Sequence, residues 1–134
     1  MSVAYEVPSF YLGNLQANQD LSVESVGQYV ALTAVVASGA GLAGAAADLP
    51  APGGPIVGVC QNNPQLGEPA TIMVSGVSKA RVSGAVSAPG ILLMVDAAGK
   101  FLPATAGNFA VAMAMQSAVA GDVAAILIKQ YGKV

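Results

Sequence analysis

This sequence predicts a mainly β protein: a small β-barrel or sandwich with an extended N-terminal arm and at most one or two short helices. Two observations carry that expectation. Short apolar runs rich in β-branched residues recur between Gly, Pro, Asn and Asp, at the rhythm typical of barrels and sandwiches. In addition, a strand, a short connection, a Gly-acidic turn and a second strand occur at residues 57–74 and again at 111–128, at a constant offset of 54 residues without a gap. With 134 residues, one domain burying roughly two-thirds of its unfolded surface is the expected organisation.

Taken in order, residues 1–14 read as an arm and residues 15–134 as the β-rich domain. The arm holds Tyr5, Phe10 and Tyr11, three of the seven aromatic residues of the chain, alongside Val3, Val7 and Leu12. No helical or alternating period organises them, so they need a partner surface, on the same domain or on another protein. Leu21–Glu24 alternates as a half-buried strand does, and Tyr29–Val36, between Gly27 and Gly39, reads as a β-strand. The Gly/Ala/Pro stretch 39–55 reads as a loop.

The repeat then sets the second half of the chain. It aligns Gly67-Glu68 with Gly121-Asp122 and Ile72-Met73-Val74 with Ile126-Leu127-Ile128. In each turn glycine supplies a positive φ and the carboxylate accepts nearby backbone N–H groups, so Gly67, Glu68, Gly121 and Asp122 are expected to be structural. Pro64 and Pro69 forbid a helix in the first copy, whereas Gln116–Ala120 has room for one helical turn in the second. Between the copies, Val74–Val77, Arg81–Ser87 and Ile91–Val95 read as short strands, the first two separated at Ser78-Lys79-Ala80. Asp96-Ala97-Ala98-Gly99-Lys100 has the residues of a tight hairpin.

Composition narrows the function. The chain is 54% hydrophobic and 9% charged, with no His and one Cys; an ordinary soluble domain is about 25% charged. Disulfide frameworks within the chain, Cys/His zinc sites, Ser-His-Asp triads and Cys-His dyads are excluded. A net charge of −2 provides no basic excess for nucleic acid. Glu6, Asp20, Glu24, Asp48 and Glu68 all precede the first basic residue, Lys79. Arg81, Lys100, Lys129 and Lys133 follow it, with Asp96 and Asp122. That asymmetry can steer the front of one copy toward the rear of another. The uncharged run Val30–Ala47 is Gly- and Ala-rich and ends at Asp48 and Pro50, so no membrane span is expected. The first residues lack the positive region of a secretory signal, so export by that route is not expected.

Candidate chemistry is sparse. Gly39-Ala40-Gly41-Leu42-Ala43-Gly44 spells G-x-G-x-x-G after an expected strand. A dinucleotide fold, however, requires a helix and a second parallel strand, and Pro50, Pro52 and Pro55 intervene. No pair of carboxylates is brought together by spacing. Cys60 has no basic activator in sequence and is expected to fill the core. Met73, Met94, Met113 and Met115 are also expected to be core residues, with Val111, Met113 and Met115 on one face of their strand. Neither catalytic nor metal-binding residues nor a cofactor are expected.

At Pro55-Ile56-Val57-Gly58-Val59, through Gly67-Glu68-Pro69-Ala70-Thr71-Ile72-Met73-Val74-Ser75-Gly76-Val77, then Asp96–Lys100 and Ala120-Gly121-Asp122-Val123, the chain resembles the capsid decoration, or cement, proteins of tailed bacteriophages. The likeness covers residues 20–130. It implies a non-enzymatic homotrimer on the outer surface of the phage head, made in the host cytoplasm and stabilising contacts between major capsid protein subunits. By analogy, the arm, with Val3, Tyr5, Val7, Phe10, Tyr11 and Leu12, pairs with the major capsid protein. Neither nucleic acid nor a membrane is implied as a partner. A structural subunit of a phage tail, fibre or other surface assembly is the alternative, and a nucleotide-dependent enzyme a third.

Overall fold

In a computed structural model, which describes residues 10–134, the β-rich runs form nine strands. They are β1 (Phe10–Ala17), β2 (Ala31–Val36), β3 (Ala45–Asp48), β4 (Gly58–Cys60), β5 (Pro69–Arg81), β6 (Leu92–Val95), β7 (Phe101–Pro103), β8 (Phe109–Ala114) and β9 (Val123–Lys133). A single helical turn, α1, spans Glu24–Gly27. The architecture is mainly β, as the turn rhythm predicts.

The strands hydrogen-bond in the order β1-β3-β2-β4-β5-β9-β8-β6-β7, and β1 also pairs with β5. The first five strands therefore close into a barrel, which leaves fewer free edges. β5 runs for 13 residues and serves both halves. Its first part pairs with β1 up to Phe10↔Ser75, and its second part pairs with β9 from Gly76↔Ile128. The changeover falls at Gly76, whose φ of 109° is open to glycine and strained for other residues.

The second half repeats the pairing geometry of the first. Val59↔Met73 and Cys60↔Ile72 join β4 to β5; Met113↔Leu127 and Ala114↔Ile126 join β8 to β9 at positions 54 residues later. The parallel contact Ala17↔Ala47 between β1 and β3 has its counterpart in the bridge Val82↔Phe101, which brings β7 beside the residue following β5.

Two apolar clusters fill these halves. Ala17, Leu21, Val30, Leu32, Ala47, Cys60, Ala70 and Ile72 pack in the first. Val82, Leu93, Phe101, Ala114, Ala124 and Ile126 belong to the second. Ala31, Val59 and Met73 alternate with the first set along their strands, point out of the first barrel and join the second cluster. The two halves are thus welded by apolar packing as well as by β5.

Several local expectations are corrected. Leu21–Glu24 is a turn into α1 rather than a strand, because Asp20 Oδ1 accepts the Ser22 N–H at 2.9 Å and offers the backbone a local alternative to a ladder. The stretch 39–55 contains β3, where Ala46 and Ala47 are buried; small residues fit the close parallel approach to β1. Ser78-Lys79-Ala80 does not interrupt β5, since the Ser78 hydroxyl accepts from Gln61 Nε2 at 2.9 Å and donates to the Lys79 carbonyl. Arg81–Ser87 is mostly non-strand, with bridges at Val82 and Val86. Gln116–Ala120 makes no helical turn; Ala118 bridges to Val86 instead. A bulge between Ala110 and Ala112 turns Val111 inward, leaving Met113 half-buried and Met115 exposed, so these three do not share a core face.

Candidate docking surface

Leu12 is half-buried against the first core cluster, whereas the Tyr11 side chain is exposed. Both belong to β1: Phe10, Tyr11 and Leu12 pair with Ser75, Met73 and Ile72. The backbone of this part of the arm is thus engaged by the chain's own sheet. Val3, Tyr5 and Val7 lie outside the described residues.

The two Gly-acidic turns are built alike. Gly67 and Gly121 have φ values of 84° and 95°. Glu68 Oε1 accepts the Gln65 N–H at 2.7 Å, and Asp122 Oδ2 accepts the Val119 N–H at 3.0 Å. The Gly67 N–H donates to the Ala17 carbonyl, and the Gly121 N–H to the Val82 carbonyl. Each carboxylate caps its own turn through one oxygen, and the structure places the two in separate halves.

The glycine-rich segment 39–44 connects β2 to the antiparallel β3, so it lacks the strand-to-helix context of a dinucleotide loop. Asn18 pins this hairpin: its Oδ1 accepts the Ser38 and Gly39 N–H groups, and its Nδ2 donates to Asp48 Oδ2 at 2.8 Å. Sequence reasoning missed Asn18, because nothing local links it to a hairpin 20 residues away. Beside the hairpin, Ala34, Val35, Val36, Gly44 and Ala45 line an open, largely apolar cleft of about 310 Å³.

Cys60 is a buried free thiol whose pKa burial raises, the reverse of nucleophile activation. Hydrogen bonds from Ser22, the hydroxyl first and then the N–H, hold the exposed Asp20 carboxyl below its usual value. Among the described residues, no group of three or more His, Cys, Asp or Glu is placed to hold a metal ion. No described helix is long and apolar enough to cross a membrane.

What the surface offers is apolar side chains. Val36 is 86% exposed and Val119 62%, and Val77, Met115 and Val123 are also exposed. Such residues suit packing against another protein better than capture of a polar small molecule.

Comparison with known proteins accords with that surface. No curated protein matches the chain. Among solved structures, the N base of the head fibre gp8.5 of bacteriophage phi29 is similar in fold, with a TM-score of 0.68 at 15% identity, covering 95% of this chain and 97% of that one. The family model for phage cement proteins matches residues 21–130. By that match, which spans most of the barrel architecture described above, the chain belongs to the phage cement protein family.

Proposed function

We propose that this protein is a non-enzymatic cement protein that binds the outer surface of a phage head as a homotrimer and stabilises contacts between major capsid protein subunits. The family match over residues 21–130 carries the reading. The composition supports it. With 9% charged residues, little ionic surface needs desolvation when the protein packs against a neighbour, and the exposed valines and Met115 provide apolar contact area. The protein works after synthesis in the host cytoplasm, without cofactor, nucleic acid or membrane.

The arm is the proposed attachment element. Val3, Tyr5 and Val7 add a strand or an anchor to the major capsid protein, while Phe10–Leu12 tie the arm to β5 and Tyr11 offers its exposed ring. Three arms on one trimer act together, so modest single contacts give firm attachment. Deleting residues 2–9 leaves β1 whole. The truncated protein should melt at the same temperature as the full chain and bind expanded heads at least ten-fold more weakly; undiminished binding removes the arm from the mechanism.

A second reading, a structural subunit of a fibre or tail, is favoured by the fold shared with a head fibre base. Saturable decoration of empty expanded heads supports the cement reading. Binding confined to isolated tails, or to a single head vertex, supports the other.

A further inference from the structure

The two halves present the same row of four outward-facing residues, and in only one of the rows are three of the four covered. In the first half the row is Tyr11-Met73-Val59-Ala31, cross-strand neighbours on β1, β5, β4 and β2. In the second it is Val77-Leu127-Met113-Leu92 on β5, β9, β8 and β6. Within the first row Met73, Val59 and Ala31 are 6%, 0% and 0% exposed, because the second half packs over them. Within the second row Val77 is 48% exposed, and Leu127, Met113 and Leu92 are half-buried, belonging to neither core cluster. Met115 and Val123, at 46% and 41%, extend this uncovered face.

The geometry points to a second copy of this chain as the occupant: its first half covers the Val77-Leu127-Met113-Leu92 face as the second half covers Met73, Val59 and Ala31 within the chain. The fold itself supplies the template for the contact. Inside the chain, the turn between β6 and β7 closes over the first row, and the Gly99 carbonyl accepts the Ala31 N–H at 2.8 Å. The corresponding β2–β3 hairpin is longer, and its ladder ends at Val36, 86% exposed, beside the apolar cleft. Leu92 occupies the position of Ala31, so the hairpin of the next copy is placed to close over it.

Charge selects the same pairing. All five cations lie at or beyond Lys79, whereas Asp20, Asp48 and Glu68 lie in the first half with no cation. First half against second joins opposite signs; second against second opposes like signs. Such a contact is heterologous and closes only as a ring. Three copies would alternate first and second halves around six positions. This inference deepens the homotrimer reading by naming its interface.

The test is native mass measurement on the full chain and two variants, with melting temperature as the folding control. Met113→Glu and Val77→Asp, each of which sets a carboxylate against the acidic first half of the next copy, should each reduce the assembly to the 13.2 kDa chain while keeping a single cooperative melting transition. Val77→Asp alters a half-exposed site, so its folding does not depend on tolerance at Met113. Separately, Val36→Cys and Leu92→Cys chains treated with a short bis-maleimide should cross-link when mixed and not alone, Cys60 being buried. A trimer unaffected by either substitution overturns this interface and leaves the trimer standing. A monomeric wild-type protein overturns both. Cross-linking of Leu92→Cys to itself overturns the head-to-tail arrangement.

Discussion

At the scale of the residue, backbone conformation and burial decide which positions tolerate change. Gly121 sits at φ 95° with open space where a Cβ would be, so Gly121→Ala introduces strain alone, about 1 kcal/mol. Gly99 combines a φ of 74° with the Ala31 carbonyl oxygen only 2.5 Å from where a Cβ would sit; Gly99→Ala should cost more. Gly13, with neither constraint, should accept Ala with a change of less than about 0.5 kcal/mol. Urea denaturation of the three variants checks the order. Cys60 gives a pH effect. Its folded pKa is raised by burial, so the stability from the neutral thiol is full below the unfolded value of about 8.5 and is lost as pH climbs through the folded one. Cys60→Ala should flatten that alkaline decline, and a thiol reagent should label native protein at about pH 8 far more slowly than urea-unfolded protein. Prompt native labelling contradicts the burial. The turn roles of Gly67, Glu68, Gly121 and Asp122 were readable from sequence because each carboxylate and the N–H it caps lie within the same short turn. Asn18 was not, because its partners lie 20 to 30 residues away on the neighbouring β2–β3 hairpin.

At the scale of the element, strands with β-branched alternation, such as Ala31–Val36 and the hairpin around Asp96, are legible because local preference and burial agree. Asp96 Oδ1 accepts the Ala98 and Lys100 N–H groups, both at 2.9 Å, which fixes that hairpin locally. β3 was hidden because Ala45-Ala46-Ala47 has no β signal of its own. It is a strand because β1 and β2 flank it. Ser78-Lys79-Ala80 reads as a break in β5 because two adjacent polar residues resemble a connection; Gln61, 17 residues away, supplies the partner that lets the serine remain in the strand. The methionine face of β8 failed through one bulge, since an inserted residue reverses the alternation beyond it.

At the scale of the whole molecule, β5 and the packing of Ala31, Val59 and Met73 into the second cluster make the halves dependent on each other. Phe101 is fully buried in the second half. Phe101→Ala should remove about 3–5 kcal/mol, and the fluorescence of the four tyrosines, which include Tyr11 and Tyr29 in the first half and Tyr131 in the second, should report a single unfolding transition that coincides with the loss of far-UV circular dichroism. Two separated transitions would mean that the halves fold independently. The sequence by itself determined the β class, the repeated Gly-acidic turns and the scarcity of reactive groups, since these depend on residue type and on neighbours a few positions apart. Tertiary structure alone decided that β5 would be shared, that Phe10–Leu12 would lie on the chain's own sheet, and that Ala31, Val59 and Met73 would be covered while their counterparts Leu92, Met113 and Leu127 stayed half-buried. Those outcomes depend on contacts between distant segments, where the free energy of burial outweighs any local preference.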